Sequence, residues 1–224
     1  LKVAILSTGD ELKSPGTELN LGEIYESNSF GLSGLVKWLG HDPIRLHCVG
    51  DTLDDLRKIL NEAASKFDLI ITSGGVSMGD WDLVRKIMEE EGELHFWRVK
   101  LRPGSPPLFG LWNNTPIFGL PGNPVSSHVV FRMLVAPWIR HVTQATEPIE
   151  SRAYATLATK VKSTSDCLTL RRVTIVNEDG KLSAHQNIHQ GSGNLASMAM
   201  SEGMVVLQPG KEYSIGDTVE VMFL

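Results

Sequence analysis

The run Leu69-Ile70-Ile71-Thr72-Ser73-Gly74-Gly75-Val76-Ser77-Met78-Gly79-Asp80-Trp81-Asp82 constrains this chain more than any other. Its first four residues carry no charge and read as a strand buried on both faces. The strand then ends in two adjacent glycines, two serines and two carboxylates. Free backbone N–H groups, hydroxyls and hard oxygen ligands therefore meet at one strand end, as they do where α/β proteins hold phosphorylated ligands.

The surrounding pattern supplies the sheet that such a strand needs. Val3 to Leu6 is a second apolar run, closed by Ser7-Thr8-Gly9-Asp10. Ser27 or Asn28 can cap a helix whose stripe is Leu32, Leu35, Val36 and Leu39, with Gly40 as its stop. Ile44, Leu46 and Cys48 alternate toward Asp51, and Thr52 with Asp55 resembles a capping box before a helix through Ala64. A helix over Leu83 to Glu91 follows the glycine-rich run. Strand and helix in alternation call for a parallel sheet with right-handed crossovers. Next, Asn113-Asn114 reads as the turn of a hairpin between Pro107–Trp112 and Thr115–Leu120. Asn123 and Pro124 start a helix that Pro137 should bend or end.

Beyond Gln144 the helical period disappears, and short strands are predicted near Tyr154, Leu168, Met204 and Val219. We therefore expect two domains, 1–146 as an α/β domain and 147–224 as a small all-β barrel. A formal charge of −5 over 224 residues gives no nonspecific reason to bind nucleic acid, so an anion must be held by local geometry. Cys48 and Cys167 match no metal spacing, and no apolar run is long enough to cross a bilayer, which is the pattern of a cytoplasmic protein with reduced thiols and no membrane partner. Leu1 already lies in a strand pattern, and the chain is read as a piece with upstream material missing.

Three loops with small or hydroxylated residues leave strand ends: Ser7 to Glu11, Ser73 to Asp82, and Gly119 to Ser126. In a parallel sheet the first two open on one edge, where open α/β sheets bind ligands. Asp51, Asp80 and Asp82 stand at the same ends, and carboxylates so placed suit Mg²⁺ shared with substrate phosphate; the alternative for Asp51 or Asp82 is a helix cap. Arg98, Lys100 and Arg102 would share one face of a strand and suit an oxyanion, or else protect an edge by charge.

Leu6-Ser7-Thr8-Gly9-Asp10-Glu11-Leu12, Thr72 to Asp82, Leu101-Arg102-Pro103-Gly104 and Gly119-Leu120-Pro121-Gly122-Asn123-Pro124-Val125-Ser126 together resemble the molybdopterin molybdenumtransferases. This is the MoeA-type family, to which the E domain of gephyrin is related. The resemblance implies a three-layer α/β/α molybdopterin-binding domain with a mainly parallel sheet, followed by the β-barrel. It implies conversion of adenylylated molybdopterin and molybdate to molybdenum cofactor and AMP. Asp51 and Asp82 would hold Mg²⁺ or a similar divalent cation, and Thr8, Gly74, Gly75, Ser77 and Asp80 the pterin phosphate side. Arg102, Ser105 with Pro106, and Ser126 would face molybdate, with Arg172 and Ser192 offered from the barrel. It further implies a homodimer through absent N-terminal domains and a molybdopterin adenylyltransferase upstream. A noncatalytic molybdopterin-binding or scaffold module is the alternative on the same fold. Ser105 departs from the family's usual Lys-Pro-Gly-Lys-Pro run, and Cys167 stands where many relatives have Arg, leaving Arg171 or Arg172 to supply charge.

Overall fold

The computed structural model describes residues 1–46, 52–76, 82–146 and 150–224. In chain order its elements are β1 (Lys2–Ser7), β2 (Leu12–Lys13), β3 (Ile24–Tyr25), α1 (Asn28–Trp38), β4 (Asp42–Arg45), α2 (Leu53–Ala64), β5 (Leu69–Ser73), α3 (Leu83–Glu90) and β6 (Glu93–Trp97). Then come β7 (Leu101–Arg102), β8 (Leu108–Trp112), β9 (Thr115–Leu120), α4 (Pro124–Val130), a π-helical turn (Phe131–Val135) and α5 (Ala136–Val142). The chain closes with β10 (Arg152–Leu157), β11 (Leu168–Glu178), β12 (Lys181–His185), α6 (Ala196–Ala199), β13 (Gly203–Leu207) and β14 (Thr218–Phe223). Two compact units form, one from Leu1–Val99 with Pro106–Ala136, the other from Lys100–Ser105 with Pro137–Leu224.

The first unit is a three-layer α/β/α fold. Among the described residues its sheet runs β4-β1-β5-β9-β8-β6. β4, β1, β5 and β9 are mutually parallel, while β8 and β6 join by antiparallel pairing. Strand residues alternate between faces, so Ala4, Leu6 and Ile70 pack with Leu56 and Leu60 of α2 and Val84, Ile87 and Met88 of α3. All eight are no more than 1% exposed, and each large side chain so buried contributes roughly 1.5–3 kcal/mol. α1 and α4 pack together as the third layer. The β8–β9 turn is as predicted: Asn113 and Asn114 both take positive φ, 48° and 64°, as this hairpin requires.

α4 faces α1 through His128, which lies against Gly31. Burial first, then the nearby Arg132, holds the His128 imidazole well down, at about 4. A histidine lowered in the folded state stabilises fully above its unfolded value near 6.5, and that stability is lost as pH falls toward about 4. His128→Gln should therefore flatten the wild-type loss, about 3 kcal/mol at most, between pH 6.5 and 4. Urea midpoints at pH 5 and 7 check this; a wild-type-to-variant difference independent of pH would contradict it.

Two expectations are corrected. Arg98, Lys100 and Arg102 do not share a strand face, because β6 stops at Trp97 and Arg98 turns at φ 74°. The Arg98 N–H donates to the Pro107 carbonyl at 2.9 Å, and its guanidinium lies over the Trp97 ring at 4.7 Å. Arg102 belongs to β7, which pairs with β11 in the second unit. Pro137, expected to bend or end the helix, does not end it, because α5 runs through it from Ala136 to Val142. Proline has no N–H to donate, and a π-helical turn, Phe131–Val135, stands immediately before α5.

The second unit is a closed barrel of β10, β14, β13, β11 and β12, closed by pairing of β12 with both β10 and β11; β7 adds beside β11. Ala155, Leu157, Val173, Val205, Val219 and Val221 fill it.

Candidate functional site

β1, β5 and β9 end level with one another: Ser7 registers with Ser73, and Ser73 with Leu120. The ladder extends one residue further, because the Thr8 N–H donates to the Ser73 carbonyl and the Gly74 N–H to the Leu120 carbonyl, each at 3.0 Å. The three loops therefore leave at one height and enclose a cleft of about 440 Å³. Thr8, Gly74, Gly75 and Asp82 all line it, so the structure brings together these four of the expected site residues. Asp51, Ser77 and Asp80 lie outside the described residues.

Glycine is required where β5 gives way to the loop. Gly74 and Gly75 take φ of 97° and 64°, a region that residues with a Cβ rarely adopt. A Cβ on Gly74 would stand 2.6 Å from the Thr8 carbonyl oxygen. The Thr8 hydroxyl packs below the pair, 3.1 Å from where a Gly75 Cβ would be, and is buried with no hydrogen-bond partner among the described residues. Trp97 fixes the far side of the glycines: its indole N–H donates to the Val76 carbonyl at 3.0 Å, and Arg85 stacks on its ring at 3.7 Å.

Of the two residues read as possible caps, Ser27 takes the N-cap position of α1, and Asn28 does something else. It is the first residue of α1, and its Nδ2 donates to Ser73 Oγ and to the Gly122 carbonyl, both at 2.7 Å. Those two bonds assign the amide, because the opposite orientation would set Oδ1 against the Gly122 carbonyl. Oδ1 is left buried without a partner among the described residues. No sequence signal marks this role, since the bonded positions lie 45 and 94 residues away.

Two carboxylates face the cleft. Asp82 occupies the N-cap position of α3 but makes no side-chain capping bond, so capping is not what its carboxylate does. Glu11, which the motif reading left without a role, is exposed in the same cleft. Both offer the hard oxygen donors that suit Mg²⁺. Among the described residues no group of three or more His, Cys, Asp or Glu side chains stands together as a metal cluster. Asn123 and Pro124 complete the cleft wall, whereas Ser126, 4% exposed, is buried in α4 and is not part of the lining.

The other expected residues lie in the second unit, except Pro106, which groups with the first. Ser105 Oγ donates to the Leu101 carbonyl at 2.7 Å. Arg102 is exposed and pairs in register with Thr169, two residues from Arg171. Burial and then Arg102 lower the Arg171 guanidinium; burial and then Arg171 lower that of Arg172. Among the described residues none of the three has a carboxylate partner within salt-bridge distance, so positive charge accumulates here uncompensated. Arg172, 1% exposed, spends its Nη2 on the carbonyls of His189 and Gly191, at 3.0 and 3.2 Å, and so holds the loop that carries Ser192. Arg102 is exposed, and Arg171, half-buried, donates its Nε–H to the Lys162 carbonyl at 3.1 Å.

Comparison with known proteins agrees with these features. Residues 4–141 match the family described as "Probable molybdopterin binding domain", and residues 154–224 match "MoeA C-terminal region (domain IV)". A molybdopterin molybdenumtransferase of Haemophilus influenzae is 36% identical over 99% of this chain and 55% of its own length. The molybdenum cofactor synthesis protein cinnamon of Drosophila melanogaster is 34% identical over 92% of this chain and 35% of its own. The crystal structure of a molybdopterin biosynthesis MoeA protein from Pyrococcus horikosii superposes with a TM-score of 0.83 at 30% identity, covering 99% of this chain and 54% of that one. The chain thus spans about half the length of the Haemophilus relative and of the Pyrococcus protein. By its domain matches and by the level ends of β1, β5 and β9, the chain belongs to the molybdopterin-binding domain family, in its MoeA-type branch.

Proposed function

We propose that this chain is the catalytic part of a molybdopterin molybdenumtransferase, which converts adenylylated molybdopterin and molybdate to molybdenum cofactor and AMP. The observation that carries the reading is the cleft at the ends of β1, β5 and β9, where the Gly74-Gly75 backbone and two carboxylates converge. With the Gly74 N–H spent on the Leu120 carbonyl, the Gly75 backbone N–H and the Thr8 hydroxyl are the donors for the phosphate side of the substrate, and Asn28 Oδ1 stands ready for an N–H or O–H donor. Asp82, with Asp51 and Glu11, would hold Mg²⁺, which when bound supplies charge stabilisation for the departing phosphate. Positioning and fixed charge then account for the catalysis without a protein nucleophile.

In the second unit Arg102 and Arg171 are the cations suited to an oxyanion, as guanidinium forks donate two hydrogen bonds at once. Arg171→Ala is expected to raise the KM for molybdate roughly tenfold, with a smaller effect on kcat, as for loss of a charged hydrogen bond. Steady-state kinetics at varied molybdate tests this; an unchanged KM would remove Arg171 from the oxyanion site.

A homodimer, delivery of substrate by an adenylyltransferase and a cytoplasmic location complete the proposal. No described helix is long and apolar enough to cross a membrane. The direct test is equilibrium binding of adenylylated molybdopterin to the full-length protein, followed by pterin fluorescence. Saturable binding that weakens when Gly74 is substituted supports the reading, and absence of binding contradicts it.

A further inference from the structure

The position of Asn28 is itself held by a side chain that no motif singles out as functional. Ser27, at the N-cap of α1, makes no side-chain capping bond. Glu26 takes that place instead. Its Oε1 accepts from Ser7 Oγ at 2.9 Å and from the Ser29 N–H at 2.7 Å, and its Oε2 accepts from Ser29 Oγ at 2.6 Å. Ser7 ends β1 and Ser29 is the second residue of α1; they are 3% and 5% exposed. One carboxylate thereby fastens the first turn of α1 to the end of β1. Asn28 sits inside that turn and carries the connection onward to Ser73 of β5 and to Gly122 after β9.

We propose that Glu26 is a positioning residue, which sets the Asn28 amide in the cleft by bracing α1 against β1. The proposal rests on the reading of the cleft as the substrate site. Two side chains, two residues apart, tie the ends of all three strands that form the cleft. Glu26 also lines a second cavity of about 540 Å³, beside Phe30 and Arg45, so its truncation removes wall from both spaces. The role is one of geometry. A glutamine can keep every bond: its oxygen accepts from Ser7 and from the Ser29 N–H, and its amide N–H donates to the Ser29 hydroxyl, which can accept as well as donate. An alanine removes the Glu26 carboxylate that accepts from two nearly buried serines and a helix N–H.

The test uses the full-length protein with ¹⁵N-labelled asparagine and compares Glu26→Ala, Glu26→Gln, Asn28→Ala and the double alanine variant. In Glu26→Ala the Asn28 side-chain amide should exchange with solvent markedly faster. The KM for adenylylated molybdopterin should rise roughly tenfold while kcat changes less, and Glu26→Gln should restore both readouts to about twofold of wild type. The double variant should be no worse than the more affected single, because both act through one contact path. Unaltered Asn28 exchange in Glu26→Ala, glutamine as damaging as alanine, or additive defects would each overturn the proposal. If Glu26→Ala does not fold, Ser7→Ala removes one of the three donors and should shift Asn28 exchange in the same direction by less; no shift overturns the proposal. Absence of turnover in the wild type would count against the molybdenumtransferase reading alone, since amide exchange still decides the role of Glu26.

Discussion

Replacing Asp82 with Asn in the full-length protein should lower molybdate-dependent AMP release by about 10²-fold or more, the scale seen when one preorganised electrostatic contact is lost from a site where charge develops. The carboxylate is half-buried at the cleft wall and makes no side-chain cap to α3, so its removal does not cost the helix a capping bond. The substitution keeps size and shape and removes the charge. The stability change should stay at about 1 kcal/mol, the scale of one side-chain interaction, and well short of the loss in turnover. Turnover and a urea midpoint measured on the same preparation separate the two effects. A variant that keeps full Mg²⁺-dependent turnover would remove Asp82 from the site.

Gly74→Ala should be the most damaging single methyl addition in the cleft. At φ 97° alanine is strained, and its Cβ would stand 2.6 Å from a backbone oxygen, that of Thr8, which cannot yield without moving the end of β1. Strain and overpacking together are expected to cost about 2–4 kcal/mol. Gly16→Ala is the informative comparison, because Gly16 has a similar φ of 93° with nothing within 4 Å of the added Cβ. It carries the strain without the clash and should cost about 1 kcal/mol. Denaturation midpoints of both variants, with pterin binding measured alongside, give the answer. Equal losses at Gly16 and Gly74 would mean that close approach of the two loops is unimportant.

Much of this was legible because the signals are local. The apolar runs of β1 and β5, the Thr52 cap of α2 and the Asn113-Asn114 turn each depend on neighbours within a few residues. The Thr52 hydroxyl accepts from the Asp55 N–H at 3.2 Å as its spacing implied. What escaped depends on partners far along the chain. Ser27 and Asn28 both looked like caps because helix starts favour serine and asparagine, yet the partners of Asn28 come from β5 and from the loop after β9. Glu26 hides for the same reason. The cationic face expected of Arg98, Lys100 and Arg102 assumed one unbroken strand. Arg98 leaves the strand region, and Arg102 finds its pairing partner in β11, where Arg171 joins it. A period-two pattern cannot reveal that the chain has changed units.

The most direct measurement is AMP release by the full-length protein supplied with adenylylated molybdopterin and Mg²⁺, with and without molybdate. The expected result is release that depends on molybdate and falls by about 10²-fold in Asp82→Asn. Release that is the same without molybdate, or none from a folded protein that binds the pterin substrate, would contradict the assignment of this cleft to molybdenum insertion.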